Sequence, residues 1–206
     1  MFYAILGGPA TGKGTMSKIL CEELQIPHIS TGDILRKVSK TNLDIKEKLA
    51  KGLYISDEVT TKLLEERISK PDCTNGCVID GYPRNLNQAH LLDTILAKLG
   101  KKLKASIQLT VPNKIVFKRI LERQECIKCG SIYGLDVPSK IKNVCDKCDG
   151  NLIRRSDDTK ETLKVRIDLY NIKSKPILDY YKEKNLLITI DASNNPKKIL
   201  NVIDSK

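Results

Sequence analysis

The chain contains no tryptophan and only two phenylalanines, and aromatic residues make up 4% of it. Histidine is as scarce: His28 and His90 are the only two, and neither has a nucleophile or a ligand partner beside it in sequence, so neither is assigned to chemistry. Long apolar runs are missing as well. The N-terminal one, Phe2 to Leu6, leads straight into glycines and falls far short of the roughly 20 residues a membrane-spanning helix needs. Neither a membrane span nor a secretory leader is therefore expected, and the cytoplasm is the expected compartment. In that compartment seven cysteines should be thiols or metal ligands, and an odd count leaves at least one outside any disulfide.

Arginine is also rationed. The formal charge is +11, yet only eight of the 36 basic residues are arginine. The lysines are scattered among acids, as on solvated helix faces. Arg36, Arg84, Arg119, Arg123, Arg155 and Arg166 instead stand beside motif-like residues, leaving Arg67 and Arg154 as surface positions. A guanidinium pairs with phosphate oxygens through two parallel hydrogen bonds, which an ammonium cannot do. This distribution points to a polyphosphate ligand.

What is present starts with Gly7-Gly8-Pro9-Ala10-Thr11-Gly12-Lys13-Gly14-Thr15, set between the apolar run and a helical pattern carrying Met16, Leu20 and Leu24. Strand, glycine loop and helix in that order form a phosphate cradle: glycines let backbone N–H groups converge, the helix N-terminus adds a positive dipole end, and Lys13 supplies a cation. The general pattern wants Ser or Thr directly after the lysine, whereas here Gly14 intervenes and the hydroxyl arrives at Thr15. A plain glycine-rich turn stays open on this stretch alone. With 206 residues, the chain has room for one core plus insertions.

Further along, Ser30-Thr31-Gly32-Asp33 supplies N-cap chemistry for a helix, with Thr31 either capping or meeting a ligand and Arg36 one turn inside. Ser56-Asp57-Glu58 caps another, and residues 30–59 read as a small helical insert. Cys77-Val78-Ile79-Asp80 is a buried strand delivering a carboxylate, which suits Mg²⁺ or its waters, with Arg84 aimed at phosphate. Gln88 has the donor and acceptor to read a base edge, or it faces water. Ala105 to Val111 and Leu186 to Ile190 are further strands. Arg119 and Arg123, at i and i+4, should share one helix face and need an acid or a bound anion to offset them. Asp158 with Glu161 resembles a capping box, and Pro176 should kink or divide the helix that follows.

Between residues 124 and 156 the composition changes. Cys126-Ile127-Lys128-Cys129 and Cys145-Asp146-Lys147-Cys148 are two CxxC turns separated by fifteen residues, a spacing that closes a tetrahedral thiolate site for zinc, or for iron in the same place. Four protein ligands leave no open position, so such a metal is structural. Cys21, Cys73 and Cys77 read as packing residues.

Taken together, GGPATGKGT, STGDILR, DGYPRN with Gln88, the Arg119/Arg123 pair, the four cysteines and Arg155-Ser156-Asp157-Asp158 resemble, in order and spacing, the adenylate kinase family in its bacterial form with a zinc-containing LID. The resemblance covers essentially the whole chain. It implies an α/β P-loop nucleoside monophosphate kinase fold with a five-stranded parallel sheet and helices on both faces. The core would be residues 1–29, 60–122 and 161–206, with an AMP-binding insert at 30–59 and a small β LID at 123–160. It further implies Mg²⁺-dependent transfer, ATP + AMP = 2 ADP, by a monomer that binds neither nucleic acid nor membrane.

By matching position, Ala10, Thr11, Gly12, Lys13, Gly14 and Thr15 would hold ATP phosphates, with Thr15 and Asp80 near Mg²⁺. Arg119, Arg123, Ile132, Tyr133 and Asn194 would also meet ATP. Thr31, Arg36, Asp57, Glu58, Val59, Gly81, Tyr82, Pro83, Arg84 and Gln88 would hold AMP, while Arg155 and Arg166 close over the phosphates. Lys13, Arg84, Arg119, Arg123, Arg155 and Arg166 form the implied catalytic set. Ala10 stands where the family usually has glycine; if that position needs a positive φ, alanine is strained by about 1 kcal/mol. Two other readings remain: a kinase for a different nucleoside monophosphate, and a zinc-ribbon nucleic-acid-binding protein. Against the latter, Tyr133 is the insert's only aromatic and no dense basic stripe is present.

Overall fold

β1 (Phe2–Gly7) is buried along nearly its whole length. Because successive side chains of a strand point to opposite faces, its residues divide between two apolar clusters. Phe2, Ala4 and Leu6 join one face, and Tyr3 and Ile5 the other. A strand apolar on both faces belongs inside a parallel sheet covered on two sides. The structure, a computed structural model, describes residues 1–193, 197, 199 and 200.

The sheet holds β2 (His28–Ser30), β3 (Cys77–Asp80), β4 (Leu103–Thr110) and β8 (Leu187–Asp191) around β1. The order is β2-β3-β1-β4-β8, with every pairing parallel. α1 (Lys13–Leu24) supplies Met16 and Leu20 to one cluster; α4 (Asp57–Ile68), α5 (Leu86–Lys98) and α7 (Lys160–Glu183) supply the other with Leu64, Leu92 and Ile177. The carboxyl ends of the strands therefore open together at one edge, where such sheets bind ligands.

Two smaller pieces border that edge. α2 (Thr31–Val38) and α3 (Leu43–Ala50) bury Leu35, Ile45 and Ile55 in a cluster of their own. The Ser30 and Asn42 side chains cap these helices by accepting from Asp33 N at 3.2 Å and Ile45 N at 3.1 Å. After α6 (Asn113–Glu122), β5 (Gln124–Cys126), β6 (Ile132–Tyr133) and β7 (Leu152–Ile153) form a separate antiparallel sheet in the order β6-β5-β7.

Several local expectations are corrected. The cap of α7 is Thr159 paired reciprocally with Thr162, not Asp158 with Glu161, because the Asp158 carboxylate is engaged by an arginine. Pro176 does not divide α7, which runs unbroken past it. The carbonyl four residues earlier, on Ile172, loses its helical donor, but that residue is 72% exposed and water can replace it. Arg119 and Arg123 do not share a helix face, since α6 stops at Glu122 and Arg123 is already extended.

Candidate functional site

A cavity of about 330 Å³ opens at the carboxyl edge of the sheet, between the glycine loop, the α2–α3 piece and the four-cysteine segment. The loop from Gly7 to Thr15 lines it throughout. Gly12, just before α1, has φ 90°, and Ala10 has φ 54°, so the position left open by the sequence does require the left-handed region. Thr11 Oγ1 donates to Gly8 O at 3.0 Å and braces the loop. Lys13 Nζ folds back to donate to Gly7 O at 2.9 Å and Gly8 O at 2.7 Å, the interior of the cradle. Burial, reinforced by repulsion from Arg84, Arg123 and Arg166, lowers Lys13 to about 8 against the pull of Asp80. A bound anion would reverse that pressure.

The arginines arrive from five places in the chain. Arg36 comes from α2, Arg84 from the turn after β3, Arg119 from α6 and Arg123 from the junction to β5, while Arg155 and Arg166 flank the start of α7; all six line the cavity. Most are held by a carboxylate. Arg36 pairs with Asp33, Arg155 with Glu125 and Arg166 with Asp157. Arg123 Nε donates to Asp158 Oδ2 at 2.7 Å, and Arg119 Nε to Asp136 Oδ2 at 2.5 Å. Burial would raise the Asp157 carboxyl, but Arg166 outweighs it and holds it below the usual range. Arg84 donates through Nε to Gly81 O at 2.8 Å and lies 5.2 Å from the Tyr54 ring centroid, a cation–π distance. Arg119 Nη1 is buried with no partner among the described residues. It sits 4.0 Å from where a Cβ on Gly12 would stand, a free donor aimed at the phosphate loop.

Other site residues fall differently. Gly81, Pro83, Ile132 and Tyr133 line the cavity, but Thr31, Tyr82 and Gln88 do not. Thr31 Oγ1 is within 3.1 Å of Asp80 O and 3.0 Å of Gly81 O, which ties α2 to the end of β3. The Tyr82 hydroxyl meets Thr61 Oγ1 at 2.8 Å inside the core. Gln88 Oε1 accepts from Arg84 N at 2.8 Å, and its Nε2 donates to Asp57 Oδ1 at 2.8 Å.

Asp57, Glu58 and Val59 also lie outside the cavity lining. They form the first turn of α4, where Asp57 accepts from Asn85, Asn87 and Gln88 amides at 2.7–2.8 Å. Burial works against its ionisation, yet the three amides together hold the carboxyl below its ordinary range. The cavity is lined instead by Leu53 and Tyr54, which follow Gly52 at φ 72°. Asn194 lies outside the described residues. His28, which the sequence leaves without a role, also lines the cavity: its Nε2 is 3.3 Å from Asp80 Oδ2, a partner 52 residues away that local sequence could not reveal.

The residues suit two kinds of ion. Asp80 Oδ2 lies 3.7 Å from the Cβ position of Gly14, so a carboxylate flanks the loop that carries the Thr15 hydroxyl, an all-oxygen set that fits Mg²⁺. In the other segment, the sulfurs of Cys126, Cys129, Cys145 and Cys148 all lie within 4.8 Å of one another. Cys126 to Cys148 and Cys129 to Cys145 are both 3.5 Å, close to the roughly 3.8 Å edge of a tetrahedron with 2.3 Å zinc–sulfur bonds. Hydrogen bonds from Ser131, side chain first and then backbone, lower Cys129 to about 6, favouring the thiolate. At Gly150 a Cβ would stand 2.9 Å from Cys126 Sγ, so the cluster leaves no room for a side chain there.

This arrangement has known counterparts. A family model described as Adenylate kinase matches residues 5–186. The adenylate kinase of Caldanaerobacter subterraneus subsp. tengcongensis is 42% identical over 200 residues, covering 95% of this chain and 90% of its own length. That of Thermosipho melanesiensis is 42% identical over 212 residues, covering 98% and 99%, and that of Fervidobacterium nodosum 39% over 208, covering 98% and 95%. The phosphate loop, the ring of arginines and the near full-length matches agree, and the chain belongs to the adenylate kinase family.

Proposed function

We propose that this adenylate kinase carries out ATP + AMP = 2 ADP with the ATP phosphates in the glycine loop and the AMP phosphate among Arg36, Arg84, Arg155 and Arg166. The observation that carries this division is Arg119: Asp136 holds its Nε and the Ala192 and Ser193 carbonyls hold its Nη2, but its buried Nη1 has no partner among the described residues and lies beside the loop, while the remaining site arginines are engaged by carboxylates or a carbonyl. Phosphate oxygens can take over from those acceptors with little reorganisation. In this reading the backbone at Leu53 and Tyr54 meets the AMP side of the cavity, rather than that at Asp57 to Val59. Thr31 and Gln88 position the walls, with Gln88 fixing Arg84 N. Ile132 and Tyr133 bring the LID, residues 123–160, to the ATP side.

An AMP phosphate is already an oxyanion near neutral pH, so attack on the terminal phosphorus of ATP requires no general base. Lys13 and the loop amides hold the phosphates of the leaving ADP, and Arg119 and Arg123 face the group in transit. Thr15 and Asp80 would hold Mg²⁺, directly or through water, and the ion would supply neutralisation of phosphate charge. Arginines from the core, the α2–α3 insert and the LID surround the cavity, and substrates filling it would exclude water from the transferred group. Zinc, or iron, would be held by the four thiols as a structural ion. Those thiols stay available in the reducing cytoplasm, the compartment this reading assigns.

A coupled assay of ADP formation from ATP with AMP, UMP, CMP and GMP tests the reading, with metal analysis of the same sample. Turnover with AMP exceeding the other acceptors, and one zinc per chain, is expected. A preference for UMP or CMP would reassign the acceptor. Salt-sensitive nucleic-acid binding without ADP formation would replace the reading altogether; the insert's one aromatic, Tyr133, is buried and offers no stacking face.

A further inference from the structure

We propose that His28 is a positioning residue that holds the Asp80 carboxylate for Mg²⁺, an inference that rests on the reading of Asp80 given above. His28 opens β2, the edge strand of the sheet, in parallel register with β3: His28 is opposite Val78 and Ser30 is opposite Asp80. From two positions back, the imidazole leans forward along the strand until Nε2 is 3.3 Å from Asp80 Oδ2. Both side chains are mostly covered, at 19% and 12% exposure, and both line the cavity.

The backbone of Asp80 has other supports. Its strand pairs with β1 and β2, and the Thr31 hydroxyl reaches its carbonyl. What those bonds leave undetermined is the side-chain torsion, and among the described residues His28 is the hydrogen-bond partner of the carboxylate. An ionised carboxylate only accepts, so His28 Nε2 carries the proton and donates. A separation of 3.3 Å is long for a charge-assisted hydrogen bond, so the contact steers the carboxylate rather than clamping it. With Oδ2 turned toward β2 and Gly14, Oδ1 is left to accept from water bound to the ion. Outer partners of this sort fix a ligand's orientation and are felt in metal affinity.

The test is calorimetric titration of ATP, without AMP, into the full-length chain over a series of Mg²⁺ concentrations. The wild type is compared with His28→Ala, His28→Gln and Asp80→Asn, and thermal unfolding of each variant is recorded without ligand. His28→Ala is expected to reduce the Mg²⁺-dependent gain in ATP affinity by about tenfold, leaving Mg²⁺-free ATP affinity unchanged. His28→Gln, which keeps an N–H donor of similar reach, is expected to restore most of the gain. If Asp80→Asn lowers the gain and His28→Ala does not, the inference fails while the Asp80 reading stands. If neither lowers it, the Asp80 reading itself fails and takes the inference with it. A loss in His28→Ala that glutamine does not restore, or a lower unfolding temperature with an unchanged Mg²⁺ response, assigns His28 to packing and overturns the proposal.

Discussion

The glycine loop and the four-cysteine segment face each other across the same cavity, yet they are made rigid by opposite means. The loop hangs between β1 and α1, and β1 feeds apolar side chains into two large clusters, one on each face of the sheet. The cysteine segment has a buried cluster of only Cys126, Tyr133, Cys145 and Leu152, with Cys148 against it, while Ile127, Ile141 and Ile153 are more than half exposed. One side borrows its order from a hydrophobic core; the other has too little core to borrow from. Where burial is this small, the zinc proposed for the four thiols would supply by coordination what apolar area does not.

Stripping the metal should therefore separate the two regions more sharply than any substitution. Structural zinc in finger peptides is worth roughly 10–16 kcal/mol, far more than a four-residue cluster can replace. Incubation with a strong chelator, or Cys145→Ala, is expected to abolish amide protection in residues 124–153 in hydrogen exchange. Protection of β1, β3 and β4 should persist, and ADP formation should fall with the loss of the LID wall. Equal loss of protection in both regions would break the comparison.

Arg123 sits where the two regions join, extended after α6 and bound to Asp158 just before α7. Arg123→Ala is expected to lower the phosphoryl-transfer rate by about a hundredfold or more, the usual scale for losing a preorganised charge. The core should stay folded by circular dichroism and thermal unfolding. A near-native single-turnover rate would remove Arg123 from the catalytic set and leave it as a strut for the LID.

How much of this could be read in the sequence follows the same division. The phosphate loop and the two CxxC turns are contiguous stretches in which spacing alone dictates geometry. Individual buried strands were legible too, because they read as apolar runs, whereas their parallel order came from the family resemblance. Contacts made across sequence were not. His28 meets Asp80 only through the β2–β3 register. Asp57 looks like a helix-start residue, but three amides from around the start of α5 occupy it. Leu53 and Tyr54 reach the cavity because Gly52 turns the chain after α3. Likewise, Thr159 rather than Asp158 caps α7 because Arg123 competes for the carboxylate.

On the loop side, Lys13 offers a pH test that the LID side should not share. Its pKa in the free protein is lowered to about 8, and a bound polyphosphate favours the charged form. Above pH 8 the free protein has lost that proton and must regain it to bind, so ATP affinity should fall as pH rises. Between pH 8 and pH 9 the loss should be about fivefold, with little change between pH 6 and pH 7. Calorimetry in two buffers of different ionisation enthalpy would detect the proton uptake. An affinity flat from pH 7 to pH 9 would mean that Lys13 stays charged in the free loop.

The smallest effect belongs to Ala10, the one alanine with positive φ, at 54°. The other non-glycine residues in that region are Gln25, Asn143, Asp149 and Asn185, all with polar side chains. Three are Asn or Asp, whose short side chains can bond locally and soften the cost. Alanine has no such compensation, and its Cβ meets the carbonyl at a cost of roughly 1–2 kcal/mol. Ala10→Gly removes that strain but adds freedom to the unfolded chain, worth about 0.4–1 kcal/mol in the other direction. The net gain in chemical denaturation should lie between about 0 and about 1.6 kcal/mol. ATP affinity should rise by less than about fivefold, because a relaxed loop closes on phosphate without first overcoming strain. A loss of stability would mean that the sheet beneath the loop already absorbs the strain, making the loop more strictly a product of its core than the comparison with the LID requires.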